Sequence, residues 1–193
     1  MNMNILKYAV ATVCVAISLF MTGQTAMARD FDGGLLWGLK GDVKNVSLKS
    51  DLKKAFGKVS FNKDGKIKNR LMSYDASGRP IGYGMNNGDT YLYMNVWYNT
   101  SGDVEKVRLR NRTDSKMEEV VLEFRFKYDG KELSEVEATD SEAPDARVIY
   151  RFSGYEYDDA GNWLKRDVEV DGYTPGGDSK KRTTVETRKI KYY

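Results

Sequence analysis

The chain has 193 residues, with 31 lysines and arginines against 28 aspartates and glutamates and a formal net charge of +3. It contains no histidine and a single cysteine, which excludes histidine-based catalytic triads, haem ligation by histidine and the usual zinc sites. The nearly balanced charge gives no electrostatic case for binding nucleic acid or an anionic membrane surface.

Residues 1–28 have the features of a secretory signal peptide. Lys7 is their only charged side chain, residues 8–22 are nearly all apolar, and residues 26–28 read Ala-Met-Ala, a small-residue cleavage signal. Because the apolar run is shorter than the ~20 residues of a membrane span, we predict cleavage after Ala28 and no stable membrane span afterwards. The only cysteine, Cys14, lies inside this segment and lacks a lipoprotein cleavage box, so the predicted mature chain has no disulfide.

The first part of the predicted mature chain carries mixed signals. Residues 29–40 hold three glycines around an apolar Leu-Leu-Trp run, which predicts an ordered loop or single turn closing one end of the core. Residues 43–48 predict the first strand. Ser50 is a suitable N-cap and Gly57 a suitable end for a short helix over residues 51–56.

From residue 58 onward, a seven-residue pattern recurs: an aromatic residue, Asp or Asn, two variable residues, Gly, a polar residue and an apolar one. In the copy at residues 157–163, Asp158 is suited to accept hydrogen bonds from the N–H groups that follow, and Gly161 supplies the positive φ that ends the turn. The pattern therefore predicts a β-hairpin in which Tyr157 lies opposite Trp163.

Further copies begin at residues 61, 74 and 98, and a shortened copy begins at residue 128. In the shortened copy, a two-residue turn predicts that Lys127 faces Glu132 and Phe126 faces Leu133. Repetition with compatible cross-strand partners indicates an irregular internal repeat. The structural turn residues that we predict from these copies are Asp75, Gly78, Asn99, Gly102, Asp129, Gly130, Asp158 and Gly161.

This repeat resembles the YD repeat of Rhs-type proteins, and more closely it resembles small secreted bacterial proteins built from such repeats. The resemblance covers about residues 41–193. Residues 41–46 are similar to the start of the repeat region in that group, and residues 157–165 and 187–193 are similar to its end. The resemblance implies an extended antiparallel sheet and a role in the envelope or at the cell surface, and it carries no catalytic residues to transfer.

Alternating apolar and polar residues predict strands, most clearly over residues 91–98 and 120–128. The alternation slips at Gly154 and again between Val104 and Val107, which predicts β-bulges. We therefore predict an all-β fold: an antiparallel β-meander of repeated hairpins forming one large twisted or curled sheet with little helix. Residues 29–193 form a single domain in this prediction.

Carboxylates are the remaining candidates for catalysis. Asp158-Asp159 and Glu118-Glu119 are adjacent pairs, and neighbours on a strand point to opposite faces, whereas glycosidases need two facing carboxyls ~5–10 Å apart. A pair assembled from distant strands stays open. The oxygen-bearing turns lack the ligand-dense spacing of a calcium loop, so we predict no catalytic residue, no metal site and no cofactor.

Tyr91, Tyr93 and Trp97 alternate onto the face opposite Leu92, Met94 and Val96. This aromatic strip is either a solvent-facing surface that binds sugars or partner proteins, or part of the core of a sheet covered on both faces. Two function classes follow. The first is an exported, non-enzymatic protein of the periplasm or cell surface, with a structural or binding role toward an envelope protein or glycan. The alternative is a secreted carbohydrate-active enzyme that uses a carboxylate pair.

Overall fold

The computed structural model describes residues 39–50, 53–68, 71–87, 90–113, 116–141, 143, 145–173 and 179–193. Within these ranges, the description covers the backbone alone for residues 50, 53–58, 71, 85–87, 90–92, 111–113 and 116–121. The predicted signal peptide and residues 29–38 of the loop predicted over residues 29–40 lie outside the described residues.

The described residues form strands joined by short turns. In chain order they are β1 (Val43–Ser50), β2 (Lys53–Ser60), β3 (Leu71–Tyr74), β4 (Pro80–Asn87), β5 (Thr90–Tyr98), β6 (Val104–Thr113), β7 (Lys116–Asp129), β8 (Glu132–Asp140), β9 (Arg147–Tyr157), β10 (Trp163–Tyr173) and β11 (Ser179–Tyr192). All belong to one sheet, and every pairing is antiparallel. The predicted all-β class is therefore confirmed.

The order of strands across the sheet is β2-β1-β11-β10-β9-β8-β7-β6-β5-β4-β3. Strands β3 to β11 form an uninterrupted meander, and the β1–β2 hairpin joins it beside β11. As a result β2 and β3, which follow each other in the chain, lie at opposite edges of the sheet. Phe61 and Ile67, the first and last residues of the repeat copy that begins at residue 61, form an isolated bridge within the segment that connects β2 and β3.

The predicted short helix over residues 51–56 is wrong. The backbone from Lys53 onward forms β2, which pairs with β1 through Leu48 opposite Phe56 and Ser47 opposite Lys58. A helix of six residues is marginal by itself, and pairing along β1 satisfies the same backbone groups in a continuous ladder.

Four copies of the repeat form the same turn. In each, the glycine N–H donates to the carbonyl of the Asp or Asn three residues earlier, and the side chain of that residue accepts from the N–H four residues onward. The four glycines have φ between 73° and 87°. The four turns run from Asn62 to Lys66, Asp75 to Arg79, Asn99 to Asp103 and Asp158 to Asn162. Trp163 pairs with Tyr157, as predicted.

The register of the shortened copy differs from the prediction. Asp129 pairs with Glu132 and Tyr128 with Leu133, so the turn is centred on Gly130 and the following lysine. A register shift then places Lys127 opposite Glu135. The predicted pairing was wrong because Gly130, with φ of 59°, takes the first central turn position and not the second. The bulge predicted at Gly154 is present, with φ of 62° and a register shift between Lys165 and Asp167.

Tyrosine hydroxyls tie each hairpin to the previous one. Each donates to the carbonyl of the first residue after the preceding turn: Tyr98 to Pro80 at 2.6 Å, Tyr128 to Val104 at 2.9 Å and Tyr155 to Leu133 at 2.7 Å. Burial raises the pKa of both Tyr128 and Tyr155, so these hydroxyls stay protonated as donors. The aromatic position of the repeat therefore fixes one repeat on the next.

Apolar side chains of one face of the sheet make the core, and we call this the inner face. Fully buried members include Val46, Phe124, Val136, Trp163 and Val168. The opposite, outer face carries mostly charged and polar side chains. Alternation along each strand assigns successive residues to the two faces, as a sheet with one buried face requires.

Candidate functional site

The aromatic strip lies on the outer face of β5. Met94 and Val96 point inward and are 6% and 4% exposed, whereas Tyr93 and Trp97 alternate with them and are half-buried on the opposite side. The side chain of Tyr91 lies outside the described part, and only its backbone position in β5 is known. The predicted phase of the strip is thus confirmed for Tyr93 and Trp97, with Asn95 between them.

Each residue of the strip faces a basic residue of β6. The Cα partners are Trp97 with Lys106, Asn95 with Arg108, Tyr93 with Arg110 and Tyr91 with Arg112. We call the six of these residues whose side chains are described, Tyr93, Asn95, Trp97, Lys106, Arg108 and Arg110, the aromatic–basic ladder. Directly opposite residues in an antiparallel pair have Cβ atoms about 4.5–5.5 Å apart, so the rings and cations share one surface.

Trp97 is contacted by two of these cations. Lys106 Nζ lies 4.6 Å from the centroid of the Trp97 ring, and the guanidinium carbon of Arg108 lies 5.5 Å from it. Such cation–π contacts at exposed sites contribute about 0.5–1 kcal/mol each. They hold the indole against β6, and an incoming ligand group can replace the flexible Lys106 over the ring.

The cations of the ladder differ in how they are neutralised. Arg108 donates through Nε to Glu123 Oε2 at 2.6 Å. Partial burial raises the pKa of Glu123, but the hydrogen bond and charge of Arg108, with those of Arg125, outweigh it and hold this pKa below its ordinary value. Among described side chains, no carboxylate forms an ion pair with Lys106 or Arg110, and Arg110 Nε is buried without a hydrogen-bond partner. The ladder therefore carries positive charge that this part of the fold does not neutralise.

Tyr93 has a structural contact that the sequence did not reveal. Its hydroxyl lies over Gly82 of β4, where an added Cβ would come within 2.0 Å of the hydroxyl oxygen. The same hydroxyl donates to Ser73 Oγ at 3.3 Å. Tyr93 thus covers a glycine of the neighbouring strand, and its hydroxyl proton is already engaged. Of the two described rings of the strip, Trp97 is therefore the remaining candidate for contact with a ligand.

The outer face of β8 to β10 shows a different arrangement. Arg151 lies 3.3 Å from Glu135 and 2.9 Å from Glu169, measured between the nearest nitrogen and oxygen atoms, and 3.7 Å from Asp171. Lys127 binds the other side of Glu135 at 2.7 Å. We call these five residues the Arg151 network. Within this network, Arg151 lies between the carboxylates of Glu135, Glu169 and Asp171, and Arg151 and Lys127 neutralise part of their charge.

A charged cluster lies on the inner face, where the sequence predicted none. Arg166 is fully buried and donates through Nε and Nη2 to Glu186 Oε2 at 2.8 and 2.5 Å. Its guanidinium carbon lies 4.3 Å from the centroid of Trp163, and that of Arg188 lies 3.7 Å from the same ring. Burial, together with the charge of Arg166, lowers the pKa of Arg188 well below its ordinary value. A signal did exist: Arg166 shares the strand phase of Val168.

The side chain of Asn162, which occupies the polar position after the glycine of the repeat, forms hydrogen bonds with residues near both ends of the described chain. Its Oδ1 accepts from the Lys40 N–H at 2.7 Å, and its Nδ2 donates to the Lys40 carbonyl at 3.0 Å and to the Tyr192 hydroxyl at 2.7 Å. The Tyr192 hydroxyl in turn donates to Asp158. Burial, together with the bond to Asp158, raises the pKa of Tyr192 to about 12. These hydrogen bonds hold Lys40 beside the turn that runs from Asp158 to Asn162.

No family model matches the chain, and a search of curated proteins found no match. A porin-like protein from Bacteroides uniformis is similar in structure, with 8% identity and a TM-score of 0.37, over 79% of this chain and 98% of that one. A porin-like protein from Bacteroides vulgatus has 11% identity and a TM-score of 0.31, over 73% of this chain and 58% of that one. None of the described residues belongs to a helix with the length and apolar character needed to cross a membrane. The described ranges also hold no cluster of acidic side chains suited to a metal ion.

Proposed function

We propose that the protein is an exported, non-enzymatic envelope protein of the YD-repeat type, and that it binds its partner through the aromatic–basic ladder. The observation that carries the proposal is the position of Trp97. This ring is on the face opposite the core, half-buried, with Lys106 and Arg108 as its described cationic contacts. Tryptophan and arginine in such settings are the residue types that contribute most at binding surfaces.

The state of the carboxylates supports a binding role over catalysis. A general acid in a glycosidase has a raised pKa, and neighbouring cations have the opposite effect on a carboxyl. Glu123 shows this opposite effect, because partial burial is outweighed by the hydrogen bonds and charges of Arg108 and Arg125, which hold its pKa below the ordinary value. Glu135, Glu169 and Asp171 each form an ion pair with Arg151, so the carboxylates that meet there are already engaged by a cation. The carbohydrate-active alternative would require a different carboxylate pair, so we propose the non-enzymatic role.

Retention of envelope material by the immobilised protein tests the proposal. The protein purified from the exported fraction is coupled to a resin, and envelope glycans and proteins of the producing cells are passed over it. Wild-type protein retains a ligand, and Trp97→Ala loses that ligand while keeping its melting temperature within a few degrees. Equal retention by both proteins contradicts the proposed surface, and intact mass that still includes Met1 contradicts export with cleavage.

A further inference from the structure

The ligand chemistry of the ladder can be read from its two rows. We propose that the ladder binds an extended acidic polysaccharide, with sugar rings over Trp97 and sugar carboxylates against Lys106 and Arg110. This inference rests on the proposed function and adds the class of ligand. Its basis is charge complementarity: one row presents a ring and an amide, and the row beside it presents a cation at every alternate position.

Spacing supports a linear ligand. Residues two apart on one face of a strand lie ~6.5–7 Å from each other, so Lys106, Arg108 and Arg110 form a straight row of cations. Trp97 and Asn95 form the parallel row opposite Lys106 and Arg108. A linear ligand that lies along β5 and β6 therefore meets an apolar ring, an amide and cations in a fixed order. A single small anion could contact only one or two of these groups.

The available charge lies at the two ends of the described cation row. Arg108 is held by Glu123 at 2.6 Å, whereas Lys106 and Arg110 form no ion pair with a described carboxylate. The planar guanidinium of Arg110 suits a carboxylate because its N–H groups form two parallel hydrogen bonds with the two oxygens. Arg110 is half-buried and its Nε is enclosed without a hydrogen-bond partner within the described structure, so a ligand carboxylate would approach the guanidinium from its two terminal Nη groups.

A sugar accounts for the ring better than a charged peptide or a lipid surface does. An aromatic side chain with a polar neighbour offers an apolar face for the ring of a sugar and a hydrogen-bonding group for its hydroxyls, and here the neighbour is Asn95. An acidic peptide or an anionic bilayer would be attracted chiefly to the cations and would not need the ring and the amide side by side. Dependence on Trp97 and on the cations together is then the signature of an acidic polysaccharide.

Calorimetric titration with polygalacturonate tests the inference. We expect wild-type protein to bind this polymer, with binding that weakens as salt screens the charges, and not to bind dextran, a neutral polysaccharide. Lys106→Gln combined with Arg110→Gln should weaken binding about tenfold. Lys131→Gln combined with Lys189→Gln removes the same charge from exposed positions outside the ladder and should leave binding unchanged.

Two further arms separate the inference from the proposed function. Poly-L-glutamate and phosphatidylglycerol vesicles carry negative charge without sugar rings, and binding of either as tight as that of polygalacturonate overturns the inference. So does equal binding by the ladder variant and its charge-matched control, with Lys106→Gln alone measured in case Arg110→Gln lowers stability. If Trp97→Ala still loses an envelope ligand while polygalacturonate fails to bind, the ligand class is wrong and the binding surface stands. If Trp97→Ala retains every ligand, both fail.

Discussion

Trp97 and Trp163 each contact two cationic side chains, yet they lie in opposite environments. Trp163 is fully buried on the inner face beside Arg166 and Arg188, with centroid distances of 4.3 and 3.7 Å. Trp97 is half-buried on the outer face beside Lys106 and Arg108, with distances of 4.6 and 5.5 Å. An indole ring with two cationic neighbours is therefore part of the core at Trp163 and part of the surface at Trp97.

The difference lies in how the charge is neutralised. On the inner face, Glu186 binds Arg166 through two nitrogens, because a buried guanidinium without an anion would be costly. On the outer face, water can solvate Lys106, so no internal carboxylate is needed. The inner-face charges are thus fixed by folding, whereas Lys106 on the outer face remains available to a partner.

Trp163→Ala should give the largest effect. Removing a fully buried tryptophan leaves a cavity beside two guanidinium groups, and we expect a loss of about 3–5 kcal/mol in the free energy of unfolding. Urea titration of the exported protein measures it. A loss as small as that of Trp97→Ala would remove the distinction between the two tryptophans.

Glu186→Gln should come next. It removes the carboxylate charge from a buried pair and leaves Arg166 and Arg188 without that anion, for an expected loss of about 3 kcal/mol. The control is the double variant Arg166→Met and Glu186→Leu, which removes both members of the pair. If the single variant is no less stable than the double variant, the carboxylate is not neutralising the inner cluster.

Gly161→Val tests how the turn places Trp163 opposite Tyr157. The φ of Gly161 is 77°, which a β-branched residue resists, so we expect a loss of about 1–3 kcal/mol in a denaturant titration. Gly172→Val is the matched control, since a Cβ at Gly172 has no neighbouring heavy atom within 4 Å. Equal stability of the two variants would mean that the turn does not need its positive φ.

Trp97→Ala should give the smallest effect on stability. The cation–π contacts of a half-buried ring contribute about 1 kcal/mol, so the thermal midpoint should fall by only a few degrees. A loss of about 3–5 kcal/mol would place Trp97 in the core and contradict the binding surface.

Local pattern predicted most of the hairpins, because turn chemistry and strand alternation act within seven or eight residues. The seven-residue pattern alone predicted the turn from Asp158 through Gly161 and the pairing of Tyr157 with Trp163. Placement of β1 and β2 beside β11 did not follow, since residues 48 and 188, which pair there, are far apart in the chain and no local pattern links them. The helix expected over residues 51–56 failed because a six-residue helix is marginal by itself and the backbone from Lys53 onward pairs with β1 instead.

The sequence predicted the aromatic residues of the candidate site but not the basic residues that lie opposite them. Alternation placed Trp97 and Tyr93 on one face, but the cations opposite them required the register between β5 and β6. A bulge beside Tyr98 changes that register by one residue, and sequence indicates such a slip without fixing which residues pair across it. The contact of Tyr93 with Gly82 depends on the neighbouring strand, so no pattern within one strand reveals it. The burial of Arg166 had a signal in its own strand, since Arg166 shares the phase of Val168, but its partner Glu186 lies on the next strand.

Hydroxyl-radical footprinting with mass spectrometry tests the central claim in one molecule, without mutation. We expect Trp97 of the free protein to be oxidised readily and Trp163 to be protected, and we expect a bound envelope ligand to protect Trp97 while leaving Trp163 unchanged. Oxidation of Trp97 as slow as that of Trp163 in the free protein, or unaltered when ligand is bound, would contradict a binding surface on the outer face of β5 and β6.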